Sequence, residues 1–138
     1  MARPWVHNGR MSPFMSLTRH SVTDITTWLP VAREALAPLA SQPGCLGSEI
    51  GAAIDDPSLM IVVTHWESVG AYRRALSAFD VKAQSIPFLS TAIDEPSAFE
   101  VLHRNAPDGT VDYTSARAAD ADSVRLGESA GEHIPPRA

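Results

Sequence analysis

A single cysteine in 138 residues removes two classes of architecture at once. Cys45, in the apolar "GCLGSEI", has no second thiol to pair with, which excludes disulfide scaffolds and Cys-rich zinc sites and leaves it as a small hydrophobe. No apolar run reaches the roughly 18 to 20 residues of a spanning helix. The opening "MARPWVHNGRMSPFMSL" also lacks the apolar stretch of a secretory signal, so the reading is a cytoplasmic protein without a membrane partner. Positive charge is scarce: 11 Lys+Arg stand against 16 Asp+Glu, the net charge is -5, and the basic residues form no stripe. Nucleic acid is therefore not an expected partner. No Gly-rich loop joins a strand to a helix, and no carboxylate pair has the spacing of a metal site, so neither a nucleotide cofactor nor a metal is expected.

What is present is an ordinary apolar share of 44%, enough for one core in one domain of this length. "FMSLTRHSV" from Phe14 to Val22 reads as a first strand, with Phe14, Ser16, Thr18 and His20 on one face. Thr23 or Asp24 then caps a helix through "ITTWLPVAREALAPLA", where Ile25, Trp28 or Leu29, Ala32, Leu36 and Leu39 recur at helical spacing and "SQPG" ends the run. "CLGSEIGAAI" is a glycine-interrupted strand, and the turn "DDPS" leads into "LMIVVTHW", a strand apolar on both faces and hence central. A second helix opens at Glu67 or Ser68 and buries Val69, Tyr72, Leu76 and Phe79; a further helical piece, "DVKAQSIPFLSTAI", is broken by Pro87; "SAFEVLHR" is the last strand.

This order, strand, helix, strand, strand, helix, strand, predicts an α+β fold of the ferredoxin-like split βαβ type. One antiparallel sheet carries its helices on one face. A central strand apolar on both sides implies that the other face is covered too, and a chain this short does so most economically with a second copy of itself. The boundaries that follow are a loosely ordered leader over 1–12, with Met11 or Met15 as alternative starts, a domain over 13–104 and a polar tail over 105–138. The tail has too few large apolar residues for a core, only isolated anchors such as Val111, Tyr113, Val124 and Leu126.

"PGCLGSEI" after the first helix, "IVVTHWES" and the "AYRRAL" helix behind it resemble the antibiotic biosynthesis monooxygenase superfamily of dimeric α+β barrels, over about residues 13 to 103. The resemblance implies a homodimer in which each subunit keeps an apolar pocket between sheet and helices for a small hydrophobic or aromatic molecule. Its haem-degrading branch requires a histidine where Gln84 stands here, and residues 66 to 102 contain none, so no haem cofactor is expected. Its cofactor-independent oxygenases oxidise anthrone-like phenols to quinones. Their Trp and Tyr match Trp66 and Tyr72, while the positions of their Asn and Arg fall at Val62 and near Ile86, so the polar half of that constellation is lost.

The expected catalytic residues are accordingly Tyr72 as a hydrogen-bond donor, Trp66 as a pocket wall or a pin between sheet and helix, and His20 as the general base, since imidazole titrates near neutral pH. Trp28, Val62, Thr64, Leu76 and Phe88 are the expected pocket residues. His65 alternates with Trp66 and should face the opposite side. The reading is a cofactor-independent monooxygenase acting on a small aromatic or polyketide-like substrate. Its alternative is a non-catalytic member whose interior is closed by Val62, Leu76, Phe79 and Phe88.

Overall fold

Residues 12–115 are described by a computed structural model; the leader ahead of Ser12 and the tail beyond Ser115, with Val124 and Leu126, lie outside them. The chain forms β1 (Phe14–Ser21), α1 (Ile25–Ala40), β2 (Cys45–Ala52), β3 (Leu59–Trp66), α2 (Val69–Leu76), a π-helical turn (Val81–Ser85) continuing into α3 (Ile86–Leu89), β4 (Ala98–Glu100) and a hairpin of β5 (His103–Ala106) and β6 (Gly109–Asp112). The first four strands form one antiparallel sheet in the order β2-β3-β1-β4, the split βαβ arrangement expected from the element order.

The two longer helices, α1 and α2, each start where a side chain satisfies an orphan backbone donor. The Asp24 carboxylate accepts from the Thr26 N–H at 3.0 Å, and the Ser68 hydroxyl accepts from the Ala71 N–H at 3.2 Å. The α1 residues Ala32, Leu36 and Leu39 are buried against the sheet at the spacing that predicted the helix. Between α1 and β2, Gly44 has φ 91°, and a Cβ there would lie 2.6 Å from the Ala71 Cβ. Only glycine allows that turn to pass so close to α2.

Pro87 shapes the segment after α2. It has no N–H to offer, so the regular ladder breaks one residue earlier: the Ile86 N–H donates to the Val81 carbonyl, five residues back, as a π turn. The buried Ser85 hydroxyl ties this turn to α1 by donating to the Ala35 carbonyl at 2.6 Å.

Two expectations are corrected. Phe79 is not on a buried helix face, because α2 ends at Leu76, the chain turns at Ser77, and the Phe79 ring is 81% exposed. The last strand does not run through "SAFEVLHR" either. It stops at Glu100 after three residues, and His103 and Arg104 pair instead with Asp112 and Val111 in the terminal hairpin. Of the expected anchors in that stretch, Tyr113 is buried, 7% exposed.

Candidate functional site

The side chains with chemistry to offer lie on the face of the sheet that the helices cover. Pairing of β1 with β3 sets Phe14 opposite Trp66, Ser16 opposite Thr64, Thr18 opposite Val62 and His20 opposite Met60. All eight point inward and none is more than 9% exposed. The face carries apolar residues and hydroxyls in alternation, and the polar ones collect into two groups at its two ends.

At one end the polar atoms form a chain. The Trp66 indole Nε1 donates to Thr64 Oγ1 at 2.7 Å, Thr64 Oγ1 lies 2.6 Å from Ser16 Oγ, and Ser16 is hydrogen-bonded to the Tyr72 hydroxyl. An indole can only donate, so a relay in which each hydroxyl passes its own hydrogen on runs from Trp66 through Thr64 and Ser16 toward the phenol oxygen. The Tyr72 ring is held by Phe14 at 4.8 Å between centroids and meets Trp66 edge-on at 5.5 Å. Burial pushes the Tyr72 phenol above its ordinary pKa, with Ser16 opposing in part, so it stays protonated and acts as a donor.

The other end is aromatic and holds His20, which is 1% exposed. Its Nε2 is 2.9 Å from Thr18 Oγ1, its ring stacks on Phe88 at 5.1 Å and 17°, and half-buried Trp28 closes the group, 5.6 Å from His20 and 5.7 Å from Phe88. Its Nδ1 is buried with no hydrogen-bond partner. Burial lowers the His20 pKa, so the ring is neutral at pH 7. With the Nε2 proton donated to Thr18, the free Nδ1 carries a lone pair that an acidic substrate could meet.

The residues singled out from the sequence therefore separate into two clusters. Tyr72, Trp66 and Thr64 meet at one end, His20, Trp28 and Phe88 at the other, and Val62 lies between them opposite Thr18. Leu76 packs on the core from α2. Among the described residues no hydrogen bond or ring contact joins His20 to Tyr72 or Trp66. His65 faces the opposite side of the sheet as expected, where its Nε2 is 3.0 Å from Glu49. Cys45 is half-buried, and burial raises its thiol pKa, which keeps it unreactive. No three His, Cys, Asp or Glu residues come close enough to hold a metal ion among the described residues. No described helix is long and apolar enough to cross a membrane.

Two open grooves lie away from these clusters. One of about 520 Å³ runs between α1 and β2, and one of about 380 Å³ lies between the end of α1 and the segment around Asp80 and Gln84. Neither is lined by His20, Trp66 or Tyr72.

Residues 24–83 match the family model for antibiotic biosynthesis monooxygenase. That stretch, running from the cap of α1 into the π turn, is similar to the antibiotic biosynthesis monooxygenase family. The match includes Thr64, Trp66 and Tyr72 but leaves out β1, and with it Ser16 and His20. Solved structures with the same fold include SnoaB, a cofactor-independent oxygenase from Streptomyces nogalater, at 18% identity over 70% of this chain and 98% of that chain, TM-score 0.60. A conserved protein from Methanosarcina mazei matches at 13% identity over 66% and 92% of the two chains, TM-score 0.53. No curated protein matches the sequence.

The sequence did not mark Ser16 as the bridge between Thr64 and Tyr72, or Ser85 as the tie to α1. Ser16 was visible as a residue on the His20 face. Its bridging role depends on a strand register across 48 positions that no local pattern reveals.

Proposed function

We propose that this chain is a cofactor-independent oxygenase of the antibiotic biosynthesis monooxygenase family, acting on a small aromatic, polyketide-like phenol. One observation carries the reading: a neutral, buried His20 keeps an unpartnered Nδ1 among the packed rings of Trp28 and Phe88. A planar phenol stacked there would present its acidic hydrogen to that nitrogen. Removal of the proton leaves an electron-rich anion that reduces O2 directly. A ring CH2 flanked by aromatic carbons then becomes C=O, O2 is consumed, and one oxygen atom leaves as water. Tyr72, held protonated at the Trp66 end, would donate to the developing negative charge of a substrate long enough to reach there from His20.

The same reading includes a cytoplasmic homodimer. The outer face of the sheet presents half-covered Met15, Leu17 and Ile61 beside Phe99, which is 41% exposed, and a second copy would cover them. Analytical ultracentrifugation of the full chain is expected to give twice the 14.8 kDa monomer mass; a monomer at micromolar concentration contradicts this part.

Oxygen uptake with an anthrone-type phenol, in buffer treated with chelator, tests the activity. The wild type should consume one O2 per quinone formed, His20→Ala should abolish turnover, and Tyr72→Phe should slow it by about 10- to 1000-fold, the range for loss of one positioned donor. Unchanged phenol in air contradicts the proposal. One observation favours a second reading, a non-catalytic small-ligand-binding protein: Trp66, Thr64 and Val62 are at most 1% exposed and line neither groove. A phenol that binds without any oxygen uptake would select it.

A further inference from the structure

We infer that the groove between α1 and β2 is a binding site for a monoanionic organic acid with an apolar body, a carboxylate on a hydrocarbon tail. The site shares no residue with the His20 cluster and stands whether or not that cluster is catalytic.

The α1 residues Leu29, Arg33, Leu36 and Ala40 recur every three or four positions and so line one side of the helix, facing the groove; Ser48 and Ile50 of β2 form the other wall. The volume of about 520 Å³ falls within the 300–1,000 Å³ range of small-molecule sites. Its floor is aliphatic, with Leu36 buried and Leu29 and Ile50 half-buried. A hydrocarbon chain laid there would remove apolar surface from water.

The charges select the headgroup. Arg33 is exposed at the groove and makes no hydrogen bond or ion pair among the described residues. Glu49 also borders the groove, but its Oε1 lies 3.0 Å from His65 on the other face of the sheet, and among the described residues it makes no ion pair with Arg33. The site thus offers one guanidinium, a planar fork that donates two parallel hydrogen bonds to a carboxylate, and the Ser48 hydroxyl lines the same groove as a further donor. One cation, with the Glu49 carboxylate at the border of the same groove, matches a single negative charge and disfavours a dianion such as a phosphate monoester.

Isothermal titration calorimetry of the full chain with octanoate tests the site, with octanol as the uncharged counterpart. Saturable octanoate binding is expected, at least tenfold weaker in Arg33→Gln, largely kept in Arg33→Lys and lost in Ala37→Phe, which fills the groove. Arg33 and Ala37 are exposed, so far-UV circular dichroism should show all three variants folded. Octanoate affinity unchanged by Arg33→Gln, octanol binding as tight as octanoate, or the absence of saturable binding would each overturn the assignment.

Discussion

At the Trp66 end of the sheet's inner face the indole, both hydroxyls and the phenol are joined in one hydrogen-bonded chain, whereas at the His20 end a ring nitrogen is buried with no partner. The two ends share a strand pair, a degree of burial and a set of residue types. They differ in whether the polar account closes. A closed network fixes the packing of β3 against α2 and gives Trp66 a structural reason to be where it is. An open one lowers stability, since a buried unpartnered donor or acceptor costs about 1–3 kcal/mol, and such a cost is typical of positions kept for chemistry.

The comparison can be broken most forcefully at Trp66. Trp66→Ala should cost about 3–5 kcal/mol in urea unfolding, because a ring with no exposure leaves a cavity, while Trp28→Ala, half-buried, should cost under half as much and abolish phenol binding. Equal losses would erase the distinction between the ends. Thr64→Val keeps the shape and deletes the relay, leaving the indole N–H and Ser16 short of a partner, for an expected loss of about 1–3 kcal/mol. His20→Leu should do the reverse. It removes the orphaned nitrogen, so stability should hold within about 1 kcal/mol or rise, while oxygen uptake disappears.

The pH dependence sharpens the same contrast. Burial holds the folded-state pKa of His20 below its ordinary 6.5, so as pH falls the unfolded chain takes up the proton first. The contribution of neutral His20 is therefore fully present above pH 6.5 and is lost as pH drops through that value toward the folded pKa. Urea midpoints measured down a pH series should decline more steeply for the wild type than for His20→Leu; parallel curves would mean that His20 is not buried neutral. The smallest effect is expected on the opposite face, where Glu49→Gln breaks a solvated pair with His65 and should shift stability by no more than about 1 kcal/mol.

How much of this was legible beforehand follows the range of each interaction. Helical spacing in "ITTWLPVAREALAPLA" and alternation in "FMSLTRHSV" are local, and both elements appear within a residue of where the pattern placed them. The grouping of Ser16, Thr18 and His20 on one face, with His65 on the other, also follows from alternation alone. What alternation does not encode is register, and the relay exists only because Ser16 falls opposite Thr64. Phe79 has the helical spacing of a core residue, but α2 stops three residues short of it, at a serine turn that competes with continuation of the helix. The last strand was overextended because "VLHR" reads as strand whether it pairs with β1 or, as it does, turns into a separate hairpin. The orphaned Nδ1 was the least visible feature, since the absence of a partner is a property of the whole environment.

The most direct test is the ¹⁵N spectrum of the His20 imidazole at neutral pH, assigned by comparison with His20→Leu, without and with saturating 1-naphthol. A neutral ring protonated at Nε2 is predicted, with an Nδ1 signal that shifts when the phenol hydroxyl donates to it. A cationic ring, or naphthol binding that moves the His65 or His103 signals and leaves His20 unchanged, would contradict the account.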